Sequence, residues 1–154
     1  MTAHPPGPLL TDRAKRVIQR AQDERVRLGH PQLSAEHILL GLLGDRRGMS
    51  AFVLREMGVK EGALADQARA ELERAAPNPV IGEDAVIRAA QRWAGELKQV
   101  SVGTEHLLLA LIGSGVAGRW LQGAGVSEAD ARATTERLFL TVRRRSGEVE
   151  PPQP

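Results

Sequence analysis

Two dipeptides in this chain could do chemistry, and they are the same dipeptide. Glu36-His37 precedes the apolar run ILLGLL, and Glu105-His106 precedes LLLALI. A carboxylate next to an imidazole suits proton transfer, metal ligation or capture of a cation. On a helix, neighbouring residues point about 100° apart, so an adjacent Glu and His cannot chelate one ion together. Metal ligands on a single helix sit three or four residues apart. The chain has no cysteine, and no serine lies in a recognisable nucleophile elbow, so covalent catalysis lacks its parts. No catalytic residue and no metal site is assigned, and no cofactor is expected. Two uses remain for the glutamates. One is to complement the exposed N–H groups of a helix start. The other is to hold a cationic group of a ligand. The histidines are expected to pack against a neighbouring helix.

Positioning these pairs requires helices, and the helices come twice. Sliding the chain by 69 residues lays Glu36-His37 on Glu105-His106, and Val17, Ile18, Ala21 and Leu28 on Val86, Ile87, Ala90 and Leu97. After a two-residue gap, Gly58-Val59 falls on Gly125-Val126. A repeat of about 65 residues follows. Apolar spacing predicts helices over about 12–28, 35–44, 49–57 and 61–75, then about 83–98, 104–112, 116–123 and 128–143. Thr11 is placed as the first N-cap, Ser127 with Asp130 as the last capping box, and Gly58 as a helix stop. Phe52, Val53 and Met57 are assigned to the inward face of the third helix. The second helix of each copy is apolar nearly all round and must be buried on most sides. The expected fold is therefore all-α: two pseudo-symmetric four-helix repeats, with these two helices central. The expected limits are repeat 1 over 10–76, a proline-containing linker over 77–82 and repeat 2 over 83–144. The tails, 1–9 and 145–154, are proline-rich or polar and expected to be disordered.

Composition narrows the function classes. With 42% apolar residues the chain can bury a core without disulfide staples. The absence of cysteine and of a secretory leader is the basis for expecting a cytoplasmic protein. No apolar stretch approaches a membrane span. Formal net charge is only +2, and the arginines are spread along the chain, whereas a nucleic-acid binder gathers them on one face. Arg143, Arg144 and Arg145 fall at the end of the last helix, where cations suit the dipole. A helical nucleic-acid-binding regulator is the alternative reading. It would have to use Lys15, Arg16 and Arg20 on the first helix, because the second helix of each repeat is too apolar to read a groove.

The residues Thr11-Asp12-Arg13-Ala14, Leu28-Gly29-His30, Glu36-His37-Ile38-Leu39-Leu40-Gly41-Leu42, Leu54 and Gly58 carry a resemblance. In the second copy it continues through Gly103-Thr104-Glu105-His106-Leu107-Leu108-Leu109-Ala110-Leu111 and Gly125-Val126. Together they resemble the N-terminal domain of Clp-family AAA+ unfoldases, the ClpC type above all, over roughly 10–142. The resemblance implies a mobile, non-catalytic receptor of the Clp proteolytic system. Its partners would be protein substrates, adaptor proteins, linear or cyclic peptides, or a Clp unfoldase itself. No G-x-x-x-x-G-K-[ST] loop is present to cradle a nucleotide, so the chain looks like a stand-alone N-domain or a piece of a longer protein.

Some domains of this type recognise phosphorylated arginine, one pocket per repeat. The repeat's glutamate holds the guanidinium, and the start of the first helix holds the phosphate. Carried onto this chain, the first pocket is Glu36 with Thr11 and Arg13. The second is Glu105 with Val80 and Gly82, a degenerate set without hydroxyl or cation, followed by acidic Glu83 and Asp84. The resemblance thus predicts at most one phosphoarginine pocket, built on repeat 1. The threonine expected before the first glutamate is Ala35, leaving Ser34 to cap. An aromatic expected before Thr11 is Leu10, which alters the apolar surface beside the pocket.

Overall fold

The computed structural model describes residues 6–145, and among them it has eight helices and no strand. They are α1 (Asp12–Leu28), α2 (Ala35–Leu43), α3 (Met49–Glu56), α4 (Glu61–Arg74), α5 (Glu83–Glu96), α6 (Thr104–Ile112), α7 (Gly115–Gly123) and α8 (Glu128–Arg145). Thr11 caps α1, its hydroxyl accepting the Ala14 N–H at 3.1 Å. Ser34 caps α2, and the Ser127 hydroxyl accepts the Asp130 N–H at 3.2 Å at the start of α8. The stripe Ala14, Val17, Ile18 and Ala21 buries one face of α1. Every residue of α2 and of α6 is buried. Ile38, Leu39, Leu42, Leu107, Leu108, Leu109 and Leu111 are each at most 1% exposed. Each such side chain contributes about 1.5–3 kcal/mol relative to exposure. These two helices form the spine predicted from their all-round apolarity.

Within each repeat the first two helices form an antiparallel pair. His30 and His37 meet at 2.9 Å at one end of the α1–α2 pair, and Arg13 bonds Asp45 at 2.8 Å at the other. At the crossing, a Cβ on Gly41 would lie 2.6 Å from the Val17 carbonyl oxygen, so only glycine lets the backbones approach this closely. The α5–α6 pair repeats the arrangement, with Ala110 at the register of Gly41.

The repeats interleave rather than stack. α3 of the first packs on α6 and α8 of the second, and α7 of the second packs on α2 and α4 of the first. Two short backbone bridges also cross over. Leu10 pairs with Val102, and Ser34 pairs with Gly82. Phe52, assigned inward from helical spacing, is 51% exposed, while Ala51, Val53 and Leu54 fill the core. It stacks instead under the Arg55 guanidinium, 5.7 Å from the ring centre. The expectation of disordered tails falls mostly on residues 1–5 and 146–154, outside the described ones. Of the described remainder, Leu9 is exposed but its carbonyl accepts the Val102 N–H, and Arg145 is helical.

Candidate functional site

The crossed bridges decide which side chains meet. The Thr11 N–H donates to the Val102 carbonyl at 2.9 Å, and the Val102 N–H donates to the Leu9 carbonyl at 2.8 Å. These bonds set the start of α1 against the start of α6. Around Gly48 stand Arg13, Asp45 and Thr104. The Arg13 guanidinium bonds the buried Asp45 carboxylate, and the Thr104 hydroxyl accepts the Ser50 N–H at 3.1 Å. Glu105 lies in the first turn of α6, 6% exposed. Its carboxyl curls back over Gly103, where a Cβ would sit 1.9 Å from Oε1. Burial raises the Glu105 pKa, and the backbone N–H groups of Glu105 and His106 pull it partly back.

At the opposite joint, the Ala35 N–H donates to the Ile81 carbonyl at 2.8 Å, which brings the start of α5 to the start of α2. Glu36 is 3% exposed there, and its Oε2 has no hydrogen-bond partner. It lines a pocket of about 180 Å³ with Glu71, Leu72, Pro77, Asn78, Val116 and Trp120. A larger cleft of about 480 Å³ between α1, α2 and α4 includes Arg20, Leu40 and Gly41 but none of the residues assigned to either phosphoarginine pocket.

The histidines are structural. His37 Nδ1 accepts the Ser34 N–H at 3.0 Å, and His106 Nδ1 accepts the Gly103 N–H at 2.9 Å. Each ring caps its own helix, which places the remaining proton on Nε2. Burial pushes both pKa values down to about 4. For His37 the neighbouring His30 and Arg25 push the same way and Glu24 opposes them. Ser34 Oγ, His37 and His30 form a relay with links of 2.8 Å and 2.9 Å, but Ser34 is fully buried and has no path to a substrate. Among the described residues no group of three or more His, Asp or Glu could hold a metal ion, and no helix is long and apolar enough to cross a membrane.

A model of the Clp repeat (R) N-terminal domain matches residues 9–85 and again 83–154. The chain belongs to this family. The ClpB chaperone of Oceanobacillus iheyensis is 36% identical over 137 residues, covering 84% of this chain and 17% of that protein. The ClpC/MecB negative regulator of genetic competence of Bacillus subtilis is 36% identical over 136 residues, with 84% and 17% covered. The chain therefore spans about a sixth of the length of these relatives. Among solved structures, the Hsp104 N-terminal domain from Candida albicans superposes with a TM-score of 0.68 at 17% identity, covering 92% of this chain and 94% of that one. The N-terminal domain of ClpD from Arabidopsis thaliana gives 0.64 at 21% identity, covering 85% and 94%. These likenesses show the fold.

In this Clp repeat pair, the residue sets assembled from sequence are exchanged. Glu36 does not meet Thr11 and Arg13. Because α1 and α2 run antiparallel, Arg13 reaches Asp45 beyond the C-terminal end of α2, and Glu36 sits in its first turn. The nine residues of α2, roughly 13 Å at 1.5 Å each, separate them. Thr11 and Arg13 lie instead at the joint holding Glu105. Gly82 lies at the joint holding Glu36, and Val80 is two residues before it, 39% exposed. Gly82, not Val80, is the N-cap of α5 and offers no side-chain cap bond. Sequence reasoning missed Asp45, Trp120 and the capping role of the histidines. The last had a signal: histidine stands three residues after each N-cap, where a capping box carries Glu or Gln. Leu10 is buried, and the exposed apolar residues near Thr11 are Leu9 at 75% and Val100 at 92%.

Proposed function

We propose that this chain is a non-catalytic capture module for proteins bearing phosphorylated arginine, acting at the joint where α1 and α6 begin. The Thr11 N–H bond to the Val102 carbonyl supports the reading, because it brings the start of α1, with Thr11 and the Asp45-paired Arg13, to the start of α6, which carries Glu105. A helix start and an arginine favour a phosphate. A carboxylate takes a guanidinium through paired, charge-assisted bonds. A guanidinium arriving at Glu105 supplies a countercharge that favours the ionised carboxyl, against the burial that raises its pKa. Leu9 and Val100 offer apolar surface to the polypeptide on either side of the modified residue. The site binds and does not cut. Its partners are protein substrates, adaptor proteins or peptides of the Clp proteolytic system, which the chain either passes to a Clp unfoldase or withholds from one.

Titration with free phosphoarginine tests this reading. Thr11→Ala, Arg13→Ala and Glu105→Ala should each weaken binding about tenfold or more, the worth of one or two charge-assisted bonds. Glu36→Ala should leave it within about twofold. No binding by the wild-type chain, or a loss confined to Glu36→Ala, overturns the reading. Adding the N-domain of a Clp unfoldase then separates delivery from competition, since only a competitor lowers its share of a phosphorylated protein.

A further inference from the structure

The Glu36 pocket has its own chemistry. Its glutamate is nine-tenths buried, and Oε2 has no hydrogen-bond donor, which leaves a carboxylate oxygen short of a partner. A second carboxylate, Glu71, stands in the lining, in an exposed pair with Arg74 at 3.8 Å, and none of the lining residues is itself a lysine or arginine. The wall also includes Trp120, whose ring attracts a cation placed over its face. A volume of about 180 Å³ is below the usual range for a small-molecule site and suits one long side chain.

The neighbouring helix start excludes a phosphate. The cap of α5 is Gly82, with no hydroxyl, and the first turn carries Glu83 and Asp84. Those two charges oppose an anion where the Thr11 joint presents Arg13. We infer that the Glu36–Trp120 pocket binds an unmodified arginine side chain of a protein segment. Arginine fits better than lysine, because its planar fork presents paired donors to a carboxylate and stacks on an indole. The chain then has two capture sites of opposite preference, one for the phosphorylated residue and one for the bare cation. This inference does not require the Thr11–Glu105 reading to be correct.

The test is a titration of the whole chain with N-acetylarginine amide, followed by NMR. The Trp120 indole N–H and the amides of Val116 and Asn78 should shift and saturate in the millimolar range, and the Trp93 indole should stay still. Glu36→Gln should weaken binding about tenfold or more, and Asp66→Asn, at an exposed carboxylate of α4 outside both sites, should leave it unchanged. Phosphoarginine at the same concentration should move the Trp120 indole less than the unmodified amide does. Glu36→Gln removes a buried charge without changing shape, so an unchanged melting temperature certifies that the variant is folded. A still Trp120 indole, full binding by folded Glu36→Gln, or an equal response to phosphoarginine overturns the inference. Failure of the phosphoarginine site is read separately, from the Val102 and Gly103 amides.

Discussion

Glu36 and Glu105 occupy matching helix turns, yet each answers to a different neighbour. Glu105 folds over a glycine with no Cβ to obstruct it. Gly103→Ala puts a methyl where Oε1 lies, and only the mobile end of Glu105 has to yield. Stability should fall by no more than about 1 kcal/mol, while phosphoarginine affinity drops as much as in Glu105→Ala; urea unfolding and titration of the same variant check both halves. The capping histidines carry a pH signature. Their folded pKa values, about 4, lie below the ordinary 6.5. The unfolded chain therefore binds protons that the fold refuses. Stability is full above about pH 6.5 and declines as pH falls toward about 4, each ring removing roughly 1.4 kcal/mol per pH step of one within that window. Glu105, raised instead, has the opposite sign: its carboxyl weakens the fold once ionised, and protonation at the acid end relieves that. Urea midpoints measured across this range should fall steadily with acid, and a flat profile would count against buried neutral rings.

At the scale of elements, the helices were legible because each carries its own punctuation. Thr11 opens α1, Gly29 closes it at φ 70°, and the stripe between them has one period. The all-round apolarity of α2 and α6 told of burial without reference to any other segment. What could not be read was which helix ends meet, since that depends on backbone bonds between residues 11 and 102 and between residues 35 and 81. The site residues themselves were legible as types, and their grouping was not. One clue was present: the six residues between α1 and α2 make those helices antiparallel neighbours, which already separates Thr11 from Glu36. Phe52 illustrates a different limit, because helical spacing fixes a face but not what covers it. The α1–α2 crossing gives a prediction at this scale. Gly41→Ala drives a methyl into the Val17 carbonyl, a backbone atom that cannot swing away, and should cost about 1–3 kcal/mol. Thr11→Ala should cost about 1 kcal/mol through its lost cap, and chemical denaturation should rank the two in that order.

For the whole molecule, interleaving matters more than repetition. The first repeat leaves α3 without its partners if α6 and α8 are removed, and α7, though it keeps α6, loses its packing on α2 and α4. Halves cut between the repeats should therefore fail to fold alone. The whole chain should unfold in one step, with tryptophan fluorescence and helical circular dichroism coincident. Both tryptophans, Trp93 and Trp120, lie in the second repeat, so a mismatch between the two signals would expose independent halves. The crossed joints also bear on how such a chain inherits change. Each of the two proposed sites draws on both repeats, so a substitution at the start of α5 is expected to disarm the glutamate of the opposite copy and to spare its own. A gene carrying the first repeat in tandem would encode two matched sites, and one carrying the second repeat in tandem would encode none for phosphate. The repeated sequence makes these halves alike, and their exchange of partners is what would allow one molecule to hold the two proposed tastes.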